Sequence, residues 1–425
     1  AVPDKKWTFF TYDDTHGIVS IRDKAEDAEE NAAPLPLFVG TLCFSQPSLL
    51  HSSLAAYAGI PSKTDSFWRA VQSYSEKVRM EYRFVSEWFD VGHSENYLRA
   101  KTGVEARMFN ALQIDDKRGI MMKTSDNKEK FIQEIKWYLR LPEQLQYLAP
   151  RIYQYSVNPE HPYVSMEYYG YNTLHEMYLY GDLPLYRWQS IFEKLLFIVN
   201  DMGRYRVECE STETSAALRE MYVTKTISRL LSLRGDSRFT HFFEQPVTVN
   251  GHQYPSLDTV MKQLPELLER TVIARYTGGF NIIHGDFHFS NILTEATYGF
   301  MRLVDPRGGF GNFDLYGDPR YEIAKLMHSL DGKYDFIIED MFKIDVHDNS
   351  ITYEVMEKPQ RLYPLFREVF KDKMTDYRAL KLIEATLFLS MLPLHSDAVN
   401  RQYAMLATGL RLLGEVAECG NPQEQ

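Results

Sequence analysis

Two textures of apolar and polar positions divide the chain. Through the first hundred residues, short apolar runs alternate with turn signals and brief helical stretches. Trp7 to Tyr12 is an aromatic, β-prone run, Asp13-Asp-Thr-His-Gly17 is a turn signal, and Ile18 to Ile21 returns, which predicts a hairpin. Ala25 to Pro36 is acidic, Ala-rich and broken by two prolines, so an exposed loop is expected. Leu37 to Phe44 reads as a buried strand from its continuous apolarity. Ser48 to Tyr57 and Thr64 to Lys77 carry helical periodicity, with Thr64 or Asp65 as N-cap, and Met80 to Val85 and Ser94 to Lys101 read as a strand and a helix.

The middle of the chain reads as a small sheet with one helix. Ala106 to Leu112 and Gly119 to Thr124 are two strands joined across the turn Asp115-Asp-Lys-Arg-Gly119. A helix follows over Lys128 to Arg140, capped by Asp126 or Asn127, and Tyr163 to Tyr169 is a further strand. From Gly170 onward apolar residues recur at three- and four-residue spacing, and the chain reads mostly helical, with helices over Tyr186 to Met202, Ser215 to Leu233 and Leu257 to Tyr276. Asp318 fits the N-cap of another helix, with Pro319 at its first position and Glu322 in its first turns. The expected organisation is an α/β module over residues 1–103, a sheet-bearing lobe over 104–170 and a helical lobe over 171–425.

Composition narrows the class without naming it. At 425 residues the chain is long enough for two or three domains. A net charge of −11 disfavours a general role on nucleic acid or an anionic membrane. Cys43, Cys209 and Cys419 lie far apart with no paired spacing, so neither a disulfide framework nor a zinc site is expected, and a reducing cytoplasm is the natural compartment. The best apolar run, Ala385 to Leu394, is too short for a membrane span. The start lacks a signal peptide's apolar core, and the end, from Gly420, is expected to fray.

The chemistry concentrates in Asn281-Ile-Ile-His-Gly-Asp-Phe-His-Phe-Ser-Asn-Ile-Leu293 and Met301-Arg-Leu-Val-Asp-Pro-Arg-Gly308. Asp286 stands five residues ahead of Asn291 on a loop between apolar runs, and Asp305 follows fourteen residues later at a strand end. That is the spacing phosphoryl transfer from ATP needs in a kinase-like site. Asp286 would orient and deprotonate the attacking hydroxyl, while Asn291 and Asp305 would hold magnesium. His-Gly-Asp-x-His-x-x-Asn resembles the loop of the aminoglycoside phosphotransferase and choline kinase superfamily, and Gly317-Asp-Pro-Arg-Tyr-Glu-Ile-Ala resembles a second segment of that family.

The resemblance implies an α+β, two-lobed protein-kinase-like fold with a helical large lobe. Lys123 falls where kinases place the lysine for the α- and β-phosphates, with Glu134 as its ion-pair partner; a surface lysine and a solvated glutamate are the alternative. No glycine-rich phosphate loop is present, so Arg107 to Asn110, with the Asn110 side chain, would cover the phosphates. Tyr163-Val-Ser-Met-Glu-Tyr-Tyr169 resembles the hinge between lobes, where an adenine would meet backbone groups around Glu167 to Tyr169. His284 would tie the loop backbone in place, His288 would brace the loop or pack, and Asp318 would brace it from the second segment. Arg307 would either neutralise transferred charge or pair with a loop acid such as Asp314. Pro306 implies a rigid site without a mobile switch.

Ahead of this, Glu87-Trp-Phe-Asp-Val-Gly-His-Ser-Glu-Asn-Tyr97 resembles the Trp-x-Asp-x-Gly segment of sugar-phosphate nucleotidyltransferases, whose metal aspartate would be Asp90. Arg22-Asp-Lys24 is similar to that family's lysine-bearing segment. The resemblance covers only the second half of such an enzyme; an unrelated α/β module in which Trp88 and Asp90 form a packed corner is the alternative. Together these resemblances imply a Mg-ATP-dependent kinase of a sugar or an amino alcohol such as choline, feeding surface-polysaccharide synthesis. A catalytically silent binding module, or the kinase part of a bifunctional kinase and nucleotidyltransferase, are the competing expectations. No nucleic-acid partner and no membrane span are expected.

Overall fold

The structure, a computed structural model, describes residues 8–13, 17–23, 38, 40–81, 83, 110–115, 117–295, 299–357 and 362–418. Lys24, Asp90, Arg107 and the segments expected at 25–36, 94–101 and 420–425 lie outside the described residues, as does the side chain of Asn110. The chain divides into two compact units, Ala1–Val104 and Glu105–Gln425.

In the first unit the expected hairpin is present, with Thr8–Asp13 antiparallel to Gly17–Asp23 and an irregularity of register between Thr11 and Tyr12. Two helices follow, Pro47–Ala56 and Lys63–Ser75. The cap of the second is Ser62, whose side chain accepts from the Asp65 amide, and not Thr64 or Asp65. Val71, Tyr74 and Met80 are buried, and Phe10, Leu42, Phe44 and Trp68 pack around them. The strand expected over Leu37 to Phe44 does not form in its described residues. Gly40 turns the backbone into the left-handed region at φ 92°, and Thr41 and Cys43 face out while Leu42 and Phe44 face in. Continuous apolarity there marks a segment lying on a small core and not a paired strand.

The second unit is α+β. Its sheet runs in the order Asn110–Asp115, Ile120–Ser125, Tyr163–Glu167, Ile152–Ser156, all antiparallel. Register pairs Lys123 with Leu112 on one side and Val164 on the other, which places its side chain on the covered face. The helix Lys128–Arg140 is capped by Asn127, and it buries Phe131, Glu134, Ile135, Trp137 and Tyr138 at helical spacing. A glutamate buried on that stripe needs a cationic partner, and the sheet supplies one.

Beyond residue 170 the expected helices occur, with altered bounds. Leu185–Met202 is one. The segment expected at Ser215 to Leu233 starts earlier, at Ser211, and passes through a widened π turn at Glu220–Thr224 into the helix Lys225–Ser232. The helix Leu257–Leu268 also ends in a π turn, Glu269–Ile273. The core of this part lies on Tyr377–Met391, buried along most of its length, and on Val399–Glu418, buried along half of its own. The mostly helical reading overlooked a sheet in which Phe342–His347 and Ser350–Val355 form a hairpin that also pairs with Val247–Val249. Its signal was the alternation of Phe342, Ile344 and Val346 on one face.

Short strands position the loop that carries the chemistry. Phe280–Ile282 lies between Arg206–Val207 and Tyr316–Gly317, and Ile292–Glu295 lies between Asn172–Thr173 and Phe300–Leu303. The loop therefore leaves one ladder and enters another, so both of its ends are fixed. Gly308, just past the second strand pair, has φ 79°, and a Cβ there would stand 2.3 Å from the Gln133 carbonyl oxygen. Only glycine lets this segment pass the backbone of the helix that bears Glu134. Gly308→Ala is expected to destabilise the protein by more than about 2 kcal/mol, because neither the φ nor the clash can relax cheaply. Thermal unfolding measures it; a melting temperature equal to wild type would show that the helix and this segment are not in fixed contact.

Candidate active site

Lys123 is the centre of one half of the site. Its Nζ lies 2.8 Å from Glu134 Oε1 and 2.7 Å from Asp305 Oδ1, a carboxylate 182 residues away in sequence. The lysine is 3 % exposed. Burial pulls its ammonium down, but the two carboxylates outweigh burial and leave it above the usual lysine range. Burial and the Asp305 charge push Glu134 up to about 7, against the pull of Lys123. Two carboxylates thus share one ammonium, and the group carries an excess negative charge that a cation would relieve.

The loop from His284 to Asn291 forms the other half. The Asn291 amide nitrogen donates to the Asp286 carbonyl oxygen at 2.9 Å and to Asp286 Oδ2 at 3.3 Å, which turns the asparagine toward the aspartate. His284 is fully buried, accepts from the Asp286 amide at Nδ1 and donates from Nε2 to the Val304 carbonyl at 2.9 Å. Burial holds its ring at about 4, so it is neutral, with the proton on Nε2. His288 stands 3.5 Å from Asp286 Oδ2 through Nε2 and faces the Asn291 amide. The Arg307 amide donates back to the His284 carbonyl, so the loop and the segment after Asp305 are tied together.

One face of the helix Pro319–Leu330 holds this loop. Glu322 accepts from the His284 and Gly285 amides, both at 2.9 Å. One turn on, Lys325 Nζ lies 2.7 Å from Asp286 Oδ1, and one turn further Ser329 Oγ accepts from the Phe289 amide. Positions 322, 325 and 329 share a face by helical spacing. Burial pushes Glu322 up to about 7 against its two N–H donors. Burial also acts to raise Asp286, but Lys325 and His288 overcome it and hold the carboxyl well below the usual range. Asp286 is a third exposed, so an ionised oxygen is presented at the surface of the site.

The role expected of Asp318 falls to Glu322. Asp318 caps the helix by accepting from the Arg320 amide, and its oxygens are taken by the Arg320 guanidinium and the Tyr222 hydroxyl, not by the loop. Arg307 does not pair with Asp314, which Arg140 holds at 2.5 Å; Arg307 donates to the Tyr321 hydroxyl at 3.2 Å. In the hinge-like strand the side chains of Tyr169 and Glu167 bond each other at 2.6 Å, and Arg302 donates to the same tyrosine. The Glu167 and Tyr168 amides are already bonded to the Arg151 and Gly119 carbonyls, which narrows what a base could meet there. Two contacts went unread in the sequence. Tyr138, one turn past Glu134, accepts from the Asp305 amide at 3.0 Å, and Trp137 donates to the Ile283 carbonyl at 2.7 Å.

Asp305 adopts φ 56°, a left-handed conformation that the fixed neighbours on both sides impose, and its carboxylate is 46 % exposed. Among the described residues no three His, Cys, Asp or Glu side chains converge as a metal cage. One partly exposed carboxylate, with an asparagine whose nitrogen is spent on Asp286 and whose oxygen is left as acceptor, would suit a magnesium ion carried mainly by substrate phosphates. The residues fit that ion.

Comparison with protein-family models and with curated proteins finds no match. Among solved structures, the apo form of a thermostable mutant of aminoglycoside phosphotransferase APH(4)-Ia is 12 % identical, with a TM-score of 0.44, covering 73 % of this chain and 91 % of that one. The gentamicin complex of APH(2")-IIa is 13 % identical, with a TM-score of 0.42 and coverage of 76 % and 96 %. Choline kinase LicA from Streptococcus pneumoniae is 14 % identical, with a TM-score of 0.41 and coverage of 73 % and 91 %. At that distance the function rests on this chain's own geometry.

Glu322→Gln tests the loop clamp. Glutamine retains one acceptor oxygen for two buried amides, so one N–H is left unpaired, and a loss of about 1–3 kcal/mol is expected in denaturant unfolding. Asp318→Asn should leave the amides of His284 and Gly285 as protected from hydrogen exchange as in wild type, whereas Glu322→Gln exposes them. Equal protection in both variants would show that Glu322 does not hold the loop.

Proposed function

We propose that this chain is a Mg-ATP-dependent phosphotransferase acting on a hydroxyl of a small molecule. The observation that carries the reading is that the loop bearing Asp286 and Asn291 is tied to the Lys123–Glu134–Asp305 group on both sides of Asp305, by His284 to the Val304 carbonyl and by the Arg307 amide to the His284 carbonyl. Phosphoryl transfer needs little covalent help from a protein and much positioning and charge neutralisation. Magnesium, when bound, supplies neutralisation of the phosphate charge. Lys123 is the point charge for the α- and β-phosphates, and Glu134 fixes where its ammonium stands. Asp305 and Asn291 offer oxygens to the metal.

Asp286 orients the acceptor hydroxyl. As that oxygen bonds to the γ-phosphorus, the bond from phosphorus to the β–γ bridging oxygen breaks and its electron pair leaves with ADP. The hydroxyl proton passes to Asp286. Because Lys325 and His288 hold Asp286 ionised, it is a weak base and an effective acceptor of a hydrogen bond. This suits a transition state in which the proton moves late. A silent binding module has no use for an ionised, partly exposed aspartate opposite a cation-hungry carboxylate.

Two variants divide the roles. Asp286→Asn is expected to lower turnover at least about a hundredfold while leaving Mg-ATP affinity nearly unchanged, since no phosphate contact is removed. Asp305→Ala and, more weakly, Asn291→Ala are expected to lose the magnesium-dependent part of ATP affinity in titration calorimetry. Near-normal turnover in Asp286→Asn rejects it as the base, and unchanged Mg-ATP affinity in Asp305→Ala rejects the metal assignment.

A further inference from the structure

The helix Lys225–Ser232 brings two more cations to the site, and the sequence reading assigned neither. Tyr222, Lys225 and Arg229 share one helix face by their spacing. Tyr222 locates that face: its hydroxyl donates to Asp318 Oδ2 at 2.9 Å, and its ring lies 6.1 Å from that of Tyr321. Tyr321 in turn accepts from Arg307 Nη1. Arg307 stands directly beside the catalytic loop, since a Cβ on Gly285 would come within 2.8 Å of its Cβ. Lys325 completes the set through its 2.7 Å contact with Asp286.

Four cations, Lys225, Arg229, Arg307 and Lys325, thus act on one another, and among the described residues the carboxylate that acts on Lys225 is Asp286. The other acids close by are engaged: Asp318 by Arg320 and Tyr222, Glu322 by the loop amides. Arg229 is anchored by donating to the Ser390 carbonyl at 3.0 Å. Lys225 is half-buried, and its ammonium has no hydrogen-bond or ion-pair partner among the described residues. Burial, then Arg307, Arg229 and Lys325, push its ammonium well below the usual lysine range, with Asp286 opposing. An arrangement of like charges at partial burial is unfavourable in the free protein and becomes favourable when an anion sits among them.

The nucleotide does not account for all four. Lys123, with Glu134 and Asp305, already serves its inner phosphates in the proposed reading, whereas Lys225, Arg229, Arg307 and Lys325 all come from the helical part and surround Asp286. We infer that Lys225, Arg229 and Arg307 form an anion subsite on the acceptor side of Asp286, so that the phosphorylated alcohol already carries a phosphate or carboxylate group. This inference rests on the phosphotransferase reading for the position of the acceptor, but the subsite itself can be probed without turnover. It opposes a cationic amino alcohol, whose ammonium would meet four like charges.

The test uses the full chain and inorganic phosphate as probe, measured by calorimetry with saturating Mg-ADP and without it. Phosphate is expected to bind, and Lys225→Gln and Arg229→Gln are each expected to weaken it at least about tenfold with Mg-ADP affinity unchanged. Lys225→Arg, which keeps the charge, should retain binding and thereby report that the effect is not misfolding. A matched panel then compares a neutral hexose, its 6-phosphate, the corresponding uronic acid and choline as acceptors, and the anionic members should be preferred. No phosphate binding, phosphate binding that falls only in Lys123→Gln, or a preference for the hexose or choline each overturns the subsite. Failure of the phosphotransferase reading shows separately, as absence of Mg-ATP binding that depends on Lys123 and Asp305.

Discussion

The structure of the second unit depends on the cost of burying charge. An ammonium or carboxylate removed from water is tolerated only when an opposite charge or a set of donors meets it. Lys123, on an interior face of the small sheet, is met by Glu134 from a helix and by Asp305 from the far end of the chain. Glu322 and Lys325, inside a helix of the large lobe, are met by loop amides and by Asp286. The Lys123–Asp305 pair joins stretches 182 residues apart, so the chemistry-bearing residues also tie the sheet to the segment that follows the loop. Removing one partner would leave the other buried and uncompensated, which costs more than the pair contributes.

Much of this was legible from residue spacing. The helix Lys128–Arg140 follows from periodicity, with Asp126 or Asn127 as its cap, and the strand bearing Lys123 follows from the hairpin signal before it; the inward position of Glu134 came only with the kinase resemblance. The loop stood out because the spacing of Asp286, Asn291 and Asp305 matches what phosphoryl transfer needs, and short apolar strands on either side fix its ends. These are local facts, and sequence carries local facts well.

What escaped is tertiary. Asp318 and Glu322 lie one turn apart at the start of the same helix, and both are acids fit to brace a loop; only the packing of Tyr222 and Arg320 against Asp318 decides that Glu322 is the one that does so. Tyr138 and Trp137 read as core aromatics, and they are buried, but their polar tips serve the Asp305 amide and the Ile283 carbonyl. The hairpin Phe342–His347 and Ser350–Val355 was lost inside a stretch read as helical, because its partner strand Val247–Val249 lies about a hundred residues earlier. Leu37 to Phe44 failed in the other direction: it had the apolarity of a strand, but among its described residues no strand forms, and Gly40 turns the backbone aside.

The π turn at Glu220–Thr224 connects this misreading to function. The segment expected as one helix from Ser215 to Leu233 is interrupted there. Tyr222, inside the widened turn, reaches Asp318, and Lys225 and Arg229 follow it on the next helix. A regular helix costs less to form, so an interruption that gathers like charges needs a compensating gain outside the free fold. In the inferred subsite an acceptor with its own negative charge would supply that gain, and it would account for the cations gathered near Asp286 in a protein with a net charge of −11. In such a site Lys325 holds Asp286 ionised, and the cations opposite orient the substrate so that its hydroxyl, and not its anionic group, meets that carboxylate.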